Sequence, residues 1–182
     1  MKPARAGGLH VMRHSTGIAI ALIALTAPSG HAQEQQYTVQ LGSGIVGRFI
    51  ERDFDRGAHE ITWCAVNPEQ PCKIDGAEPV GNFFYVPVTE LVGFVVNVGE
   101  ERVSCDVSRM YDANLENLIR YSPEFVKAEP QGSGEYRILG VFGAEAGSYA
   151  VEWYLAGSGC KRLLLDPSEE AVFRMLDRLE PT

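Results

Sequence analysis

The four cysteines constrain the fold of this chain more than any other feature of the sequence. An even number of cysteines in an exported chain favours disulfide bonds, and four cysteines permit three pairings. Cys64 and Cys72 flank the turn-like segment CAVNPEQPC, so we predict that they pair with each other and that Cys105 pairs with Cys160. The chain has no C-x-x-C motif, and the C-x7-C spacing fits no standard zinc site. We therefore interpret the cysteines as structural.

The first 32 residues have the pattern of a secretory signal peptide. A basic region without acids precedes the apolar stretch IAIALIALTA, and the small residues of SGHA suit cleavage after Ala32. The apolar stretch is too short to span a bilayer as a stable helix. Translation could start at Met1 or at Met12, because a signal peptide does not need the residues before Met12.

Two expectations follow from this signal pattern. Residues 1–32 are expected to be removed, and residues 33–182 are expected to form one exported, disulfide-bonded domain. That domain would work in a bacterial periplasm or outside the cell, without stable insertion into a membrane.

The charge of the remaining chain limits its partners. All 24 acids follow Ala32, whereas three of the 16 bases precede it, which leaves 13 bases against 24 acids and a net charge of −11. Such a chain repels nucleic acids and anionic lipids, and it favours a basic partner. His59 is the one histidine left after Ala32, so a multi-histidine metal site is excluded and a Ser-His-Asp site would have to use it.

The hydrophobic pattern predicts a mainly antiparallel β-sheet with a short middle helix and a C-terminal helix, an α+β fold with two disulfides. The middle helix is predicted over 112–121. The C-terminal helix is predicted to begin with Asp166 as its cap and Pro167 at its first position. Residues 129–135 are predicted to form a loop. The predicted strands are residues 37–50, 58–66, 82–88, 91–98, 102–107, 136–142, 148–155 and 160–165.

One motif suggests a cofactor. Gly42, Gly44 and Gly47 spell G-x-G-x-x-G, and the segment GSGIVG…DRGAHEITW resembles the N-terminal dinucleotide-binding segment of flavoprotein oxidases over about 25 residues. The resemblance implies that these glycines face a pyrophosphate. The other interpretation is a glycine-rich strand or hairpin with GSG as its turn. We favour the hairpin, because no acid stands where the fingerprint needs one, and so we predict no cofactor.

Other residues suggest sites of three kinds. Asp53 and Asp55 could hold Ca²⁺, but the segment lacks the rest of a calcium loop, and a solvated turn is the favoured interpretation. His59 with Glu60 could form half of an acid–base pair. Four aromatic residues could form a binding surface, with core packing as the alternative. They are Phe83, Tyr85, Tyr149 and Trp153.

The sequence therefore predicts an exported, non-enzymatic binding domain, such as an inhibitor, an accessory factor or an envelope-associated protein. Its partner would be another protein or an envelope component, with a basic surface favoured by the charge. The alternative is an enzyme, which would either bind a dinucleotide through Gly42–Gly47 or hydrolyse a substrate with His59 and carboxylates.

Overall fold

The structure, a computed structural model, describes residues 34–81, 84–122 and 124–180. The predicted signal peptide lies outside the described residues, and so does Phe83. No helix within the described ranges is long and apolar enough to cross a membrane. The strands are β1 (Glu34–Gly42), β2 (Ile45–Asp53), β3 (Ile61–Trp63), β4 (Pro71–Ile74), β5 (Thr89–Val98), β6 (Glu101–Cys105), β7 (Val126–Gly132), β8 (Glu135–Phe142), β9 (Tyr149–Ala156) and β10 (Gly159–Asp166), and the helices are α1 (Leu115–Tyr121) and α2 (Glu169–Leu179).

Two antiparallel sheets of four strands make up most of the molecule. The first sheet has the order β1-β2-β5-β6, and the second has the order β10-β9-β8-β7. The edge strand β1 lies beside β7, and β6 lies beside β10. The short strands β3 and β4 pair separately. The prediction of a mainly antiparallel sheet with two helices and two disulfides is confirmed at this level.

The core lies between the two sheets, because each sheet turns its apolar face toward the other. Phe49 of β2 stacks on Phe94 of β5 with ring centroids 4.2 Å apart. Phe94 in turn contacts Trp153 of β9 at 4.9 Å, and Phe49 contacts Phe142 of β8 at 5.5 Å. These rings join residues of both sheets in one buried cluster.

Strand β9 is more buried than its alternation predicts. Tyr149, Val151 and Trp153 face the core between the sheets. The other face of β9, at Ala150, is covered by the apolar side of α2, which includes Met175. A helix on the outside of the second sheet thus explains why both faces of the strand are buried.

The start of α2 differs from the prediction by two residues. Ser168, not Asp166, is the N-cap, and its hydroxyl oxygen accepts a hydrogen bond from the Ala171 amide at 3.3 Å. Asp166 is the last residue of β10, and it accepts from the Ser168 amide at 2.8 Å. Pro167 consequently lies before the helix.

The two disulfides are Cys64–Cys72 and Cys105–Cys160, which confirms the pairing expected from the sequence. Cys105 ends β6 and Cys160 lies in β10, so this bond joins the edges of the two sheets. The bond between Cys64 and Cys72 closes the loop between β3 and β4.

Several predicted strand boundaries are wrong. Segment 37–50 is two strands with a turn at Ser43 and Gly44, and only 61–63 of 58–66 is a strand. Segment 84–88 is irregular, because Pro87 has no amide hydrogen and the Val88 amide donates to the Asp112 carboxylate.

The middle region of the chain also differs from the prediction. Residues 129–135, predicted as a loop, belong to the β7–β8 hairpin, whose turn is Ser133 and Gly134. Pro130 does not prevent this, because β7 is an edge strand and an edge strand tolerates proline. Helix α1 begins three residues later than predicted. Asp112 and Asn114 have left-handed backbone conformations, with φ of 45° and 58°, which a helix cannot contain.

Candidate functional site

The glycine motif forms a β-hairpin. Gly42 ends β1, Gly44 lies in the turn with φ of 73°, and Gly47 lies in β2 opposite Val39. A Cβ atom at Gly47 would come within 3.0 Å of the Phe94 ring, so this glycine allows close packing in the sheet. A dinucleotide fingerprint needs a helix that begins at its third glycine, and a strand continues there instead. The structure therefore has the hairpin that the sequence analysis favoured.

Of the four aromatic residues suggested as a binding surface, the structure describes Tyr85, Tyr149 and Trp153, and two of these are not at the surface. The suggestion is wrong for Tyr149 and Trp153, which are fully buried because they face the core between the sheets. The Trp153 indole nitrogen donates to the Asp106 carbonyl at 2.8 Å, so its polar group is also engaged inside the protein. Tyr85 is exposed, and Phe83 lies outside the described residues.

Asp53 and Asp55, the suggested calcium ligands, lie in different local structures. Asp55 caps a short 3₁₀ turn at Arg56–Ala58 and accepts a hydrogen bond from the Gly57 amide at 2.9 Å. Asp53 is the last residue of β2. Within the part of the chain that the structure describes, no group of three or more histidine, cysteine, aspartate or glutamate side chains is arranged to hold a metal ion.

A cavity of about 600 Å³ opens at the end of the molecule where β1 begins and β2 ends. We call it the acidic cleft because four carboxylates line it. Three amides and the rings of Tyr37 and Phe84 complete most of its wall. The carboxylates are Glu51, Asp112, Glu116 and Glu145, and the amides are Gln35, Asn114 and Asn117.

Three neighbouring strands, the start of helix α1, which carries Glu116 and Asn117, and three connecting segments position these side chains. Gln35 of β1 lies directly opposite Glu51 of β2, and β5 contributes Thr89 from its first position. The loop before α1 contributes Asp112 and Asn114, and the β8–β9 connection contributes 144–147. The cleft therefore combines a rigid floor of strands with a rim of loops, an arrangement typical of binding sites.

Glu51 is the most unusual residue of the cleft. The relative solvent accessibility of Glu51 is only 7%, and its Oε1 accepts a hydrogen bond from the Thr89 hydroxyl at 2.9 Å. Burial raises the pKa of Glu51, the Thr89 hydrogen bond opposes this, and the negative charges of Asp112 and Asp53 raise it further. The carboxylate form of Glu51 is thus held in an unfavourable environment.

The other buried acids are compensated by bases, whereas Glu51 is not. Glu152 forms ion pairs with Arg137 and Arg178, and Glu90 forms one with Arg52 at 2.8 Å. Among the described residues, no lysine, arginine or histidine forms an ion pair with Glu51 or lines the acidic cleft. Buried charges are normally paired, so Glu51 is an exception that requires an explanation.

Asp112 lies in a similar environment. Its Oδ1 accepts hydrogen bonds from the Val88 and Thr89 amides at 2.8 and 2.9 Å. Its Oδ2 is buried and has no hydrogen-bond partner among the described residues. Burial raises the pKa of Asp112, although the two amide hydrogen bonds lower it. The pKa of Tyr37 is also raised, by burial and by the charges of Glu51 and Glu116.

His59 lies beside two acids, as the hydrolase alternative requires, but its nitrogens are not free for catalysis. Nδ1 is 2.7 Å from Asp75 Oδ2, and Nε2 is 3.2 Å from Glu90 Oε2. Nε2 is shielded from solvent and makes no well-aligned hydrogen bond. A general base needs a nitrogen that reaches the substrate, and this geometry does not provide one.

Comparisons with protein-family models, curated proteins and solved structures found no match to this chain.

The acidic cleft was not predicted from the sequence, although one signal for it was present. The inward positions of β2 are Ile45, Gly47, Phe49 and Glu51, and a carboxylate in an inward position of a strand is a sign of a buried charge.

Proposed function

We propose that this protein is an exported, disulfide-bonded binding domain without catalytic activity, and that it holds a lysine or arginine side chain of a protein partner in the acidic cleft. The burial of Glu51 without a basic partner, at the wall of an open cavity, is the observation that carries the proposal. The other two buried glutamates have their bases within the chain. A binding partner would supply the base for Glu51.

The electrostatics of the cleft favour a positively charged group. Burial raises the pKa of Glu51 and of Asp112, and the charge of Asp112 raises that of Glu51 further, so the two ionised carboxylates repel each other in the empty site. A cation placed between them would remove this repulsion and would give the buried Asp112 Oδ2 a donor. The gain on binding is larger because the donors and acceptors of the site are already in place.

The size and lining of the cleft suit the end of a long side chain. A cavity of about 600 Å³ lies within the range of ordinary ligand sites, roughly 300–1,000 Å³. Tyr37 lines the cleft, and an aromatic ring can attract an ammonium or guanidinium group placed over its face. The net charge of −11 after residue 32 would attract a basic partner from a distance.

The pattern of residues 1–32 and the two disulfides support the exported location. Disulfides persist in oxidising compartments such as the periplasm and the extracellular space. A binding role requires a rigid scaffold and no catalytic residues. The two sheets, joined by the Cys105–Cys160 disulfide, provide such a scaffold.

The proposal is tested with a short peptide that carries one arginine between glycine and serine residues, titrated into ¹⁵N-labelled protein. We expect the amide signals of Tyr37, Thr89 and Asn114 to shift. A lysine version of the peptide is expected to act at the same site, and a citrulline version, which has the shape of arginine without its charge, is expected not to bind.

Two variants separate the cleft from the general charge of the protein. Glu51→Gln should weaken arginine-peptide binding at least tenfold, because it removes the buried charge but keeps the side-chain shape. Glu170→Gln on the exposed surface of α2 changes the net charge equally and should change binding less than twofold. Equal losses in both variants, or shifts confined to residues away from the cleft, would contradict the proposal.

A further inference from the structure

The connection between β2 and β5 is a small substructure of its own. Residues 54–88, which we call the insertion, contain β3, β4 and the Cys64–Cys72 disulfide. A hydrogen bond from the Phe54 amide to the Val88 carbonyl at 2.8 Å closes its base. The insertion contributes Phe84 and Val88 to the wall of the acidic cleft, so its position affects the shape of the cleft.

His59 connects this insertion to the first sheet. Its Nδ1 lies 2.7 Å from Asp75, which follows β4 and also accepts a hydrogen bond from the Glu60 amide at 2.9 Å. Its Nε2 lies 3.2 Å from Glu90 of β5, which is itself 6% exposed. The imidazole ring stacks on Phe54 at 4.6 Å, so it is held between an apolar ring and two carboxylates.

The protonation state of His59 decides whether both contacts are favourable. An imidazolium carries a positive charge and an N–H on each nitrogen, so Nδ1 can donate to Asp75 while the charged ring attracts Glu90, 3.2 Å from Nε2. A neutral imidazole has one donor, so one carboxylate then faces a nitrogen lone pair. With the one proton on Nδ1, which makes the shorter contact to Asp75, the Nε2 lone pair faces the carboxylate of Glu90, and burial of Glu90 makes that contact costly.

We propose that His59 is a pH-sensitive latch that fastens the insertion, and with it one wall of the acidic cleft, to the first sheet when it is protonated and loosens the insertion when it is neutral. The latch itself needs no ligand, and only its effect on binding rests on the proposed function.

The surrounding charges set the pH range in which the latch would work. Burial lowers the pKa of His59, but the hydrogen bond to Asp75 and the charge of Glu90 raise it by more, so the pKa lies above its ordinary value of 6.5. The contribution of the latch to stability is therefore complete below about pH 6.5 and is lost as the pH rises through the raised pKa.

Four further titratable or charged side chains belong to the surroundings of the latch. Arg52 of β2 forms an ion pair with Glu90 at 2.8 Å, and Tyr111 packs its ring edge against Phe54 at 5.7 Å. Glu60 follows His59 in the chain, and Arg109 acts on Tyr111. Of the side chains in this cluster, His59 is the one whose ordinary pKa lies near neutrality, so its charge is the one expected to respond to pH there.

The test uses ¹⁵N-labelled mature protein, in which His59 is the one histidine and gives one imidazole titration curve. We expect a midpoint above 6.5. Hydrogen-exchange protection factors, corrected for the intrinsic effect of pH, are measured at pH 5.5 and pH 8.5. Protection of amides in the insertion should be several-fold lower at pH 8.5, whereas protection in the centre of β9 should not change by the same factor.

Variants assign this effect to the latch. His59→Gln should abolish the pH dependence of protection in the insertion. Asp75→Asn, at a solvent-exposed partner that should not disturb folding, should lower the imidazole midpoint and reduce the effect. Glu78→Gln removes an exposed acid of the same insertion and should change neither.

Each outcome decides between the latch and a passive contact. Equal protection of the insertion at both pH values in the unmodified protein would overturn the proposal, as would a pH dependence that persists in His59→Gln. None of these measurements involves a ligand. Failure of the latch would therefore leave peptide binding in the cleft untouched, and failure of peptide binding would leave the latch result valid.

Discussion

Glu51 occupies a position where the alternation of β2 otherwise places apolar or small residues against the core. A buried carboxylate without a base lowers the stability of the folded protein at neutral pH, because its ionised form is better solvated in the unfolded chain. Residues that lower stability are characteristic of binding sites, where the cost is offset when the partner arrives. Glu51 thus links the stability of this protein to its proposed function.

We expect Glu51→Gln to unfold at a higher urea concentration than the unmodified protein at pH 7. Glutamine keeps an oxygen that can accept from the Thr89 hydroxyl and carries no charge. The folded-state pKa of Glu51 is raised, so the penalty exists above the ordinary carboxyl pKa and disappears as the pH falls. The advantage of the variant should therefore shrink between pH 7 and pH 4.5. A glutamine variant that is less stable at pH 7 would show that ionised Glu51 is compensated within the protein.

At the scale of elements, α2 illustrates how local signals determine a boundary. Ser168 is extended, accepts from the Ala171 amide and is followed by two acids in the first turn. All three features favour a helix start, because the free amides and the positive end of the helix are there. The helix then covers Ala150 on the outer face of β9.

Ser168→Ala should lower the free energy of unfolding by about 1 kcal/mol, which is the usual cost of losing an N-cap side chain. Urea denaturation followed by circular dichroism measures this loss. Ser168→Asp keeps an acceptor at the same position, so it should restore most of the stability. Equal losses in both variants would indicate that Ser168 acts through packing and not through its hydrogen bond.

The elements also show what could be predicted from the sequence. The hairpin β5–β6, the strands β8 to β10 and the disulfide pairs were predictable because apolar alternation, short turns and cysteine spacing are local signals. The acidic cleft was not, since Tyr37, Glu51, Asp112 and Glu145 come from four separate parts of the chain. The full burial of Trp153 was not predictable either, because a strand pattern does not tell which face a second sheet will cover.

At the scale of the whole molecule, the two sheets share one core and are joined by a disulfide at their edges. Across the space between the sheets, Phe49 contacts Phe142 and Phe94 contacts Trp153. A substitution in either sheet should therefore affect both. The Cys105–Cys160 bond adds a covalent constraint over 55 residues, whereas Cys64–Cys72 spans eight.

Replacing both Cys105 and Cys160 with alanine should destabilise the protein by about 4 kcal/mol, on the loop-entropy model for a closed loop of this length. The matched pair of alanines at Cys64 and Cys72 should cost about 2.5 kcal/mol on the same model. Guanidinium denaturation of the two double variants gives the comparison. A larger loss for the short loop would show that the insertion contributes more to the core than its position suggests.

The order of the disulfides along the chain has a consequence for biosynthesis. The first cysteine bonds to the second, and the third bonds to the fourth. A chain that is oxidised while it emerges, amino terminus first, presents each cysteine to its native partner before any competing thiol arrives. Correct pairing then requires an oxidase alone. Cells that lack a disulfide isomerase should still produce this protein in its native form.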